Sequence, residues 1–459
     1  MPPIAVLHVT SAEGGGADRY VRDLAETTAA RHWIWHAGAG IVEEVAARRF
    51  HRVPDGDAEL ARWVGGAGVG LVHLHGVTAD DATALSRVRA ARPLAYVVTL
   101  HDMGFVAPAA FEGDLAVDAA QIARVTPLLG GAAKLVAPSA FIASLVERHF
   151  PGIGVTLIAP GIGPRSATIV ATAPVPPDFD AHARTTRVAV VGAIGPHKGS
   201  AGIEAIARAL AAQDSTLVVI GYTDTLIAPG WMMQGELFVH GAYEDGALPG
   251  LLDTYGIDVV LFANRLPESF SYTLSEAWAA GRPVIVPDAG ALGERVAQLG
   301  GGWRLPAGFD AQDVAKLVAR LHAPDGAREW AQVESAIDID DPVRIPPLAA
   351  MTQAFDSLYA QYAQPAGDTG GADALAPLVA ANLDGRVFRR ELVRLTGELA
   401  ESRAWRSKLD RDIAELKDAI ERISEDNRKL AEVRDAFELM PRLVRKLLLK
   451  LRQAFRGRR

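Results

Sequence analysis

Glu268 and Glu276 stand with seven residues between them in Pro267-Glu268-Ser269-Phe270-Ser271-Tyr272-Thr273-Leu274-Ser275-Glu276. If the span were helical throughout they would lie roughly 12 Å apart along its axis, about the reach of a sugar diphosphate to a ribose. Leu274, Ala277 and Trp278 recur at helical spacing, so a helix from about Ser271 to Ala280 buries that face and leaves Glu276 on another. Gly281 then stops the helix and Pro283 prevents its continuation. The helix start, Phe270 to Leu274, offers unpaired backbone N–H groups and the positive end of the dipole to an anion lying between the two acids. Ile257–Phe262 reads as a buried strand, which puts Glu268 in the crevice at a strand's carboxyl end, where open α/β sheets bind ligands. Taken alone, the pair would equally suit a solvated helix residue and a first-turn acid favouring the dipole.

Other chemistry-bearing residues fall at strand ends. Val188 to Val191 is a strand running through Gly192 into a loop that ends at Lys198-Gly199, before a helix from Ile203 to Ala212. Lys198 is a point cation suited to phosphate. Near the start, the apolar strand Ile4–Thr10 leads to Gly14-Gly15-Gly16 and a helical run from Asp18 to Ala30. Three glycines let a backbone approach a ligand closely, although the spacing is not that of a nicotinamide-binding loop. His73 and His75 end a strand with both imidazoles on one face, and His101-Asp102 ends the next. Each histidine could be structural, could serve polar chemistry, or, as His73, His75 and His101 with Asp102, could hold a metal for hydrolysis.

The Glu268 to Glu276 stretch, continued by Ala280-Gly281-Arg282-Pro283-Val284-Ile285, resembles the signature of the retaining glycosyltransferases of family 4, which have the GT-B fold. Ser271 stands where that family usually has glycine. The resemblance implies that Glu268 lies at the donor sugar and that Glu276 hydrogen-bonds the ribose of a nucleoside diphosphate sugar. By the same resemblance Lys198 binds the donor diphosphate, His101 reaches the donor sugar, and Gly14, Gly15 and Gly16 cover the phosphates and the acceptor. Donor contacts are further expected from Gly192, Phe270, Ser271, Tyr272, Thr273 and Leu274, with Glu268, His101 and Lys198 in catalysis. Ala193 departs from the family's usual arginine, so Arg265, His197 or backbone amides would have to compensate. The resemblance implies two Rossmann-like domains facing a cleft, and sugar transfer without cofactor or metal. The acceptor would be a glycan or lipid-linked, in bacterial surface-polysaccharide assembly. Asp55-Gly-Asp57 fits the Asp-x-Asp pattern of metal-dependent transferases but lies in a Pro-Asp-Gly turn.

These residues need a scaffold, and a chain of 459 residues with 49% hydrophobic content can build several cores. Strand and helix patterns alternate over two stretches, expected as an N-terminal acceptor-side domain at 1–172 and a nucleotide-sugar-binding domain at 186–345. The Pro-rich segment at 173–185 links them, and a closing helix at 346–362 crosses back to the first lobe. Cysteine is absent, which excludes disulfides and thiolate metal sites and fits a reducing compartment. The start lacks the pattern of a secretory signal, and no apolar run approaches the length of a membrane span.

A flexible linker is expected at 363–384 and a coiled coil at 385–438. Leu392, Leu399, Ile413 and Ile420 share one heptad position, and Leu395, Leu409, Leu416, Ile423 and Leu430 the other. Asn427 at the first of these favours a two-stranded pairing, hence a homodimer, against a single helix packed on the enzyme. The tail at 439–459 has eight basic and no acidic residues from Pro441 onward, which leaves −16 for the rest of a chain whose total is −8. Leu443, Val444, Leu447, Leu448, Leu451 and Phe455 give it an apolar face. It reads as an interfacial helix for an anionic membrane, against a solvated tail or a nucleic-acid arm, and places the enzyme peripherally on the inner face of the cell membrane.

Overall fold

Val69–Leu74 and Ala5–Thr10 are apolar at nearly every position and buried throughout, the pattern of strands covered on both faces of a parallel sheet. The structure is a computed structural model, which describes residues 4–11, 15–110, 113–163, 179–182, 184–226, 228–244 and 246–364. The first lobe's strands are β1 (Ala5–Thr10), β2 (Arg31–His36), β3 (Ile41–Glu44), β4 (Arg49–Arg52), β5 (Val69–Leu74), β6 (Tyr96–Thr99), β7 (Lys134–Ala137) and β8 (Val155–Leu157). They form an eight-stranded sheet in the order β4-β3-β2-β1-β5-β6-β7-β8. Only β3 and β4 run antiparallel to their neighbours. Its helices are α1 (Gly15–Thr27), α2 (Asp57–Gly66), α3 (Ala79–Ala91), α4 (Ala119–Gly130) and α5 (Ala140–His149). Thr78 and Asp81 cap the start of α3 reciprocally, and Ser139 caps α5, so local chemistry fixes where those helices begin.

The second lobe begins at α6 (Phe179–His182) and holds β9 (Thr186–Ile194), β10 (Ser215–Thr223), β11 (Gly230–Met232), β12 (Leu237–Val239), β13 (Val259–Leu261), β14 (Val284–Pro287) and β15 (Gly302–Leu305). Their order is β11-β12-β10-β9-β13-β14-β15, with β11 alone antiparallel. The helices are α7 (Ile203–Ala211), α8 (Leu248–Thr254), α9 (Tyr272–Ala279), α10 (Gly290–Leu299), α11 (Ala311–His322) and α12 (Pro324–Ser335). Alternation along β9 divides the core: Val188 and Val190 pack beneath α7 and α11, while Ala189 and Val191 pack on the side of Leu274 and Trp278.

In each sheet the chain order reverses beside one strand, at β1/β5 and at β9/β13, and the loops leaving those strands diverge into a crevice. A last helix, α13 (Leu348–Tyr362), packs Met351, Phe355, Leu358 and Tyr359 against Val6, Tyr20, Leu71 and Val97 of the first lobe. It starts after Pro346-Pro347, because proline holds the preceding residue out of helical conformation. No helix among the described residues is long and apolar enough to cross a membrane. Of the flexible linker expected at 363–384 only Ala363 and Gln364 are described, their N–H groups bonded to the Tyr359 and Gly70 carbonyls; the rest of it, the coiled coil, the basic tail and most of the interlobe linker lie outside the described residues.

Candidate active site

The crevice of the second lobe forms where the loops after β9 and β13 meet. Gly199 has φ +82°, and a Cβ there would overlap the Ala263 carbonyl, so only glycine lets the two loops lie this close. Lys198, one residue earlier, thereby reaches Glu268, with Nζ 3.7 Å from Oε1. The Asn264 Nδ2 group donates to the same carboxylate oxygen at 2.7 Å. Thr273, from the first turn of α9, lines the same crevice. Behind it the start of α10 grips the peptide of Glu268, whose carbonyl accepts from Ala291 N at 2.9 Å. Gly192 keeps φ +99° at the end of β9, and the neighbouring Ala193 is exposed.

The turn into α9 explains the family's glycine. Ser271 has φ +77°, a conformation unfavourable to any residue with a side chain, while its Oγ accepts from Leu274 N at 3.4 Å as the helix cap. The helix therefore begins at Tyr272 rather than Ser271. Arg295 of α10 holds this strained turn. Its guanidinium lies 4.3 Å from the Phe270 ring centroid and donates to the carbonyls of Phe270 and Ser271, each at 3.2 Å. Its other nitrogen reaches Ser275 Oγ and the Arg344 carbonyl, both at 2.8 Å. Burial lowers its pKa to about 9.

Glu276 does not lie open on its own face of α9. It is 5% exposed, and its Oε1 accepts from Arg19 Nη1 at 2.7 Å, because α1 of the other lobe covers that face. The Arg19 guanidinium also lies 4.3 Å from the Tyr272 ring centroid. Burial alone would lower the Arg19 pKa, but the Glu276 carboxylate carries it above the ordinary value. Gly16 faces the Tyr272 ring with no side chain between them, and Gly15 has φ +72°. Gly14 lies outside the described residues. Ser269 Oγ donates across the cleft to the His101 carbonyl at 2.5 Å, and Glu294 accepts from Phe141 N at the start of α5 at 2.7 Å. The glycine loop, His101 and the start of α9 thus face one another.

Histidines fill the floor of the first lobe. His73 bonds Tyr359 Oη and Thr99 Oγ1, each at 2.8 Å. His75 bonds His8 at 2.8 Å and His101 at 3.0 Å. His8, His73 and His75 bring ring nitrogens within 4.8 Å of one another, and in this structure each of those nitrogens takes part in a hydrogen bond. His73 and His75 of the metal reading thus lie together, joined by His8, while His101 is linked to them through His75. Asp55 and Asp57 are exposed, with Asp57 opening α2.

Arg265 lies beside the loop of Lys198, its backbone N–H bonded to the His197 carbonyl at 2.9 Å. Its Nη1 is held by the carbonyls of Gly308 and Phe309 at 3.3 and 3.0 Å. Sequence reasoning missed Arg19, Asn264, Arg295 and Glu294. Arg295 carried a signal: Leu292, Val296 and Leu299 mark the buried stripe of α10, and Arg295 lies on it.

Residues 179–330 match the family model described as glycosyl transferases group 1. Comparison with curated proteins finds no match. Among solved structures, Anabaena Alr3699/HepE in complex with UDP and glucose is 16% identical with a TM-score of 0.57, covering 78% of this chain and 100% of that one. Sucrose-phosphate synthase from Thermosynechococcus elongatus is also 16% identical, with a TM-score of 0.56 and coverage of 78% and 98%. A glycosyltransferase from Rickettsia africae is 13% identical, with a TM-score of 0.55 and coverage of 79% and 99%. At such identities the likeness speaks for the fold. The fold is GT-B, and its second lobe is where the match to the glycosyl transferases group 1 model falls.

Proposed function

We propose that this protein is a retaining, metal-independent glycosyltransferase of family 4. It moves a hexose or related sugar from a nucleoside diphosphate sugar to a glycan or lipid-linked acceptor in bacterial surface-polysaccharide assembly. The observation that carries this reading is the meeting of Lys198, Asn264 and Glu268 beside the first turn of α9, with Glu276 further along the same helix. Lys198 and the amides at the start of α9 neutralise the charge that grows on the departing diphosphate, the interaction that contributes most in such sites. Glu268, steadied by Asn264, lies at the sugar, and Glu276, oriented by Arg19, takes the ribose hydroxyls. The acceptor oxygen forms its bond to the anomeric carbon on the face from which the phosphate oxygen leaves. Its proton passes to that oxygen, so the anomeric configuration is kept. A panel of nucleoside diphosphate sugars screened by thermal shift identifies the donor, because a bound ligand raises the melting temperature. NMR of the product's anomeric proton then checks retention. No shift with any donor, or an inverted product, overturns the reading.

The basic tail from Pro441 carries the enzyme to anionic membrane, and pairing through the coiled coil sets two tails on one surface. Truncation after Met440 should leave donor binding intact while releasing the protein from anionic vesicles in a flotation assay. Flotation equal to that of the full chain removes the membrane role.

A further inference from the structure

Behind His101 runs a line of further imidazoles that the reading above does not use. His101 Nε2 lies 3.0 Å from His75 Nδ1, His75 Nε2 lies 2.8 Å from His8 Nδ1, and His8 Nε2 lies 2.9 Å from His32 Nδ1. His32 Nε2 ends the line, 2.6 Å from Thr28 Oγ1. The Thr28 hydroxyl in turn donates its single proton to the Leu24 carbonyl at 2.7 Å. That carbonyl belongs to the last turn of α1, the negative end of the helix dipole, which favours the proton there.

The direction of every bond then follows. A hydroxyl that has given its proton to Leu24 can only accept from His32, so His32 carries its proton on Nε2. A neutral imidazole has one N–H and one lone pair, so His32 Nδ1 must accept from His8 Nε2–H. The same step passes from His8 to His75 and from His75 to His101. The rings stay neutral: burial holds His8 and His75 well below the ordinary value, and lowers His32 and His101 to about 4. At the end of the line His101 Nδ1 keeps an unshared lone pair, with no hydrogen-bond partner among the described residues.

We propose that Thr28, His32, His8 and His75 act as positioning residues that fix the proton of His101 on Nε2, so that Nδ1 meets the donor sugar strictly as a hydrogen-bond acceptor. The proposal rests on the sugar-transfer reading for its ligand, but not for its geometry. An acceptor at that point requires a sugar hydroxyl that donates, so it favours neutral hexoses over hexuronates, whose carboxylate would oppose lone pair to lone pair. The device is set by one carbonyl far from the cleft, and a side chain that withdraws the Thr28 oxygen should release it.

Long-range proton–nitrogen correlation spectra of the full chain labelled at histidine nitrogen test this directly, with the His101 signals assigned by their loss in His101→Asn. The expected wild-type pattern is Nε2–H at His101, His75, His8 and His32. Thr28→Ser should keep it, whereas Thr28→Val should shift His101 towards the Nδ1–H pattern. With the hexose donor found in the screen, Thr28→Val should raise KM about three- to tenfold, the share of one neutral hydrogen bond. Affinity for the bare nucleoside diphosphate should not change. An Nδ1–H pattern at His101 in the wild type overturns the proposal even if no variant folds. So does an unaltered His101 pattern in a folded Thr28→Val protein, or an unaltered KM. A blank donor screen instead strikes the sugar-transfer reading and leaves the nitrogen spectra as an independent test.

Discussion

The two lobes solve opposite electrostatic problems at one cleft. On the second lobe, Lys198 and Glu268 keep 29% and 21% of their side chains exposed, and the charged groups are drawn from two adjacent loops. On the first lobe, beside the Arg19 guanidinium that reaches Glu276, the buried groups beneath the cleft are neutral imidazoles brought from β1, β2 and the ends of β5 and β6. A leaving diphosphate must be met by real charge, which is stable only where water still reaches it before the substrate arrives. A sugar hydroxyl needs only an oriented lone pair, and a buried neutral ring supplies that without the penalty of a buried ion. The exposed charge therefore sits on one wall and the buried imidazoles on the other, with Arg19 the first-lobe cation that crosses to Glu276.

The sharpest way to break this contrast is Lys198→Ala. With Lys198 in its proposed place at the diphosphate, the substitution should lower kcat by about 10²- to 10³-fold, as for other single groups that stabilise transition-state charge. Stability should change little, because the partly exposed Lys198–Glu268 pair contributes only weakly to it. Steady-state kinetics with intact thermal unfolding would support the division of labour, and an unaltered kcat would end it.

Acid attacks the opposite wall. His32 ionises near pH 4 in the folded chain against an ordinary value near 6.5, so between those values the unfolded chain binds more protons. Stability should be unaffected by this group above pH 6.5 and fall below it, by at most about 1.4 kcal/mol per pH unit for His32 alone. His8, His73, His75 and His101 act in the same direction. Urea midpoints measured between pH 7 and pH 4 should therefore drop steeply, and a flat profile would contradict the buried neutral chain.

The smallest expected effect is at Ser271. Glycine accepts φ +77° freely, so Ser271→Gly should stabilise the protein by about 1 kcal/mol, less a few tenths for the lost cap. Chemical denaturation reads this out, and a loss of stability would show that the cap outweighs the strain.

Legibility in the sequence followed the same division. In the second lobe Glu268 and Glu276 lie close together along the chain, so spacing exposed the pair and the helix between them, while the resemblance marked Lys198. Ser271 was visible as a departure from the family's usual glycine, but its positive φ was not. In the first lobe His73, His75 and His101 could be noticed one by one at strand ends. Their union with His8 and His32 depends on which strands become neighbours, and pairing order is not written in any local pattern. Arg19 reaches Glu276 from another lobe, across a separation no periodicity spans. The helix boundaries that moved, at Tyr272 and Leu348, moved for backbone reasons at Ser271 and Pro347.

The central claim is that one wall of the cleft binds and ionises a nucleoside diphosphate sugar through Lys198, Glu268 and Glu276. Calorimetric titration of the nucleoside diphosphate into Glu276→Ala and Glu268→Ala, with turnover measured on the same samples, tests it most directly. Glu276→Ala should weaken nucleotide binding, while Glu268→Ala should keep that affinity and lose turnover. Wild-type binding and turnover in both variants, with a donor that the wild type consumes, would contradict the account.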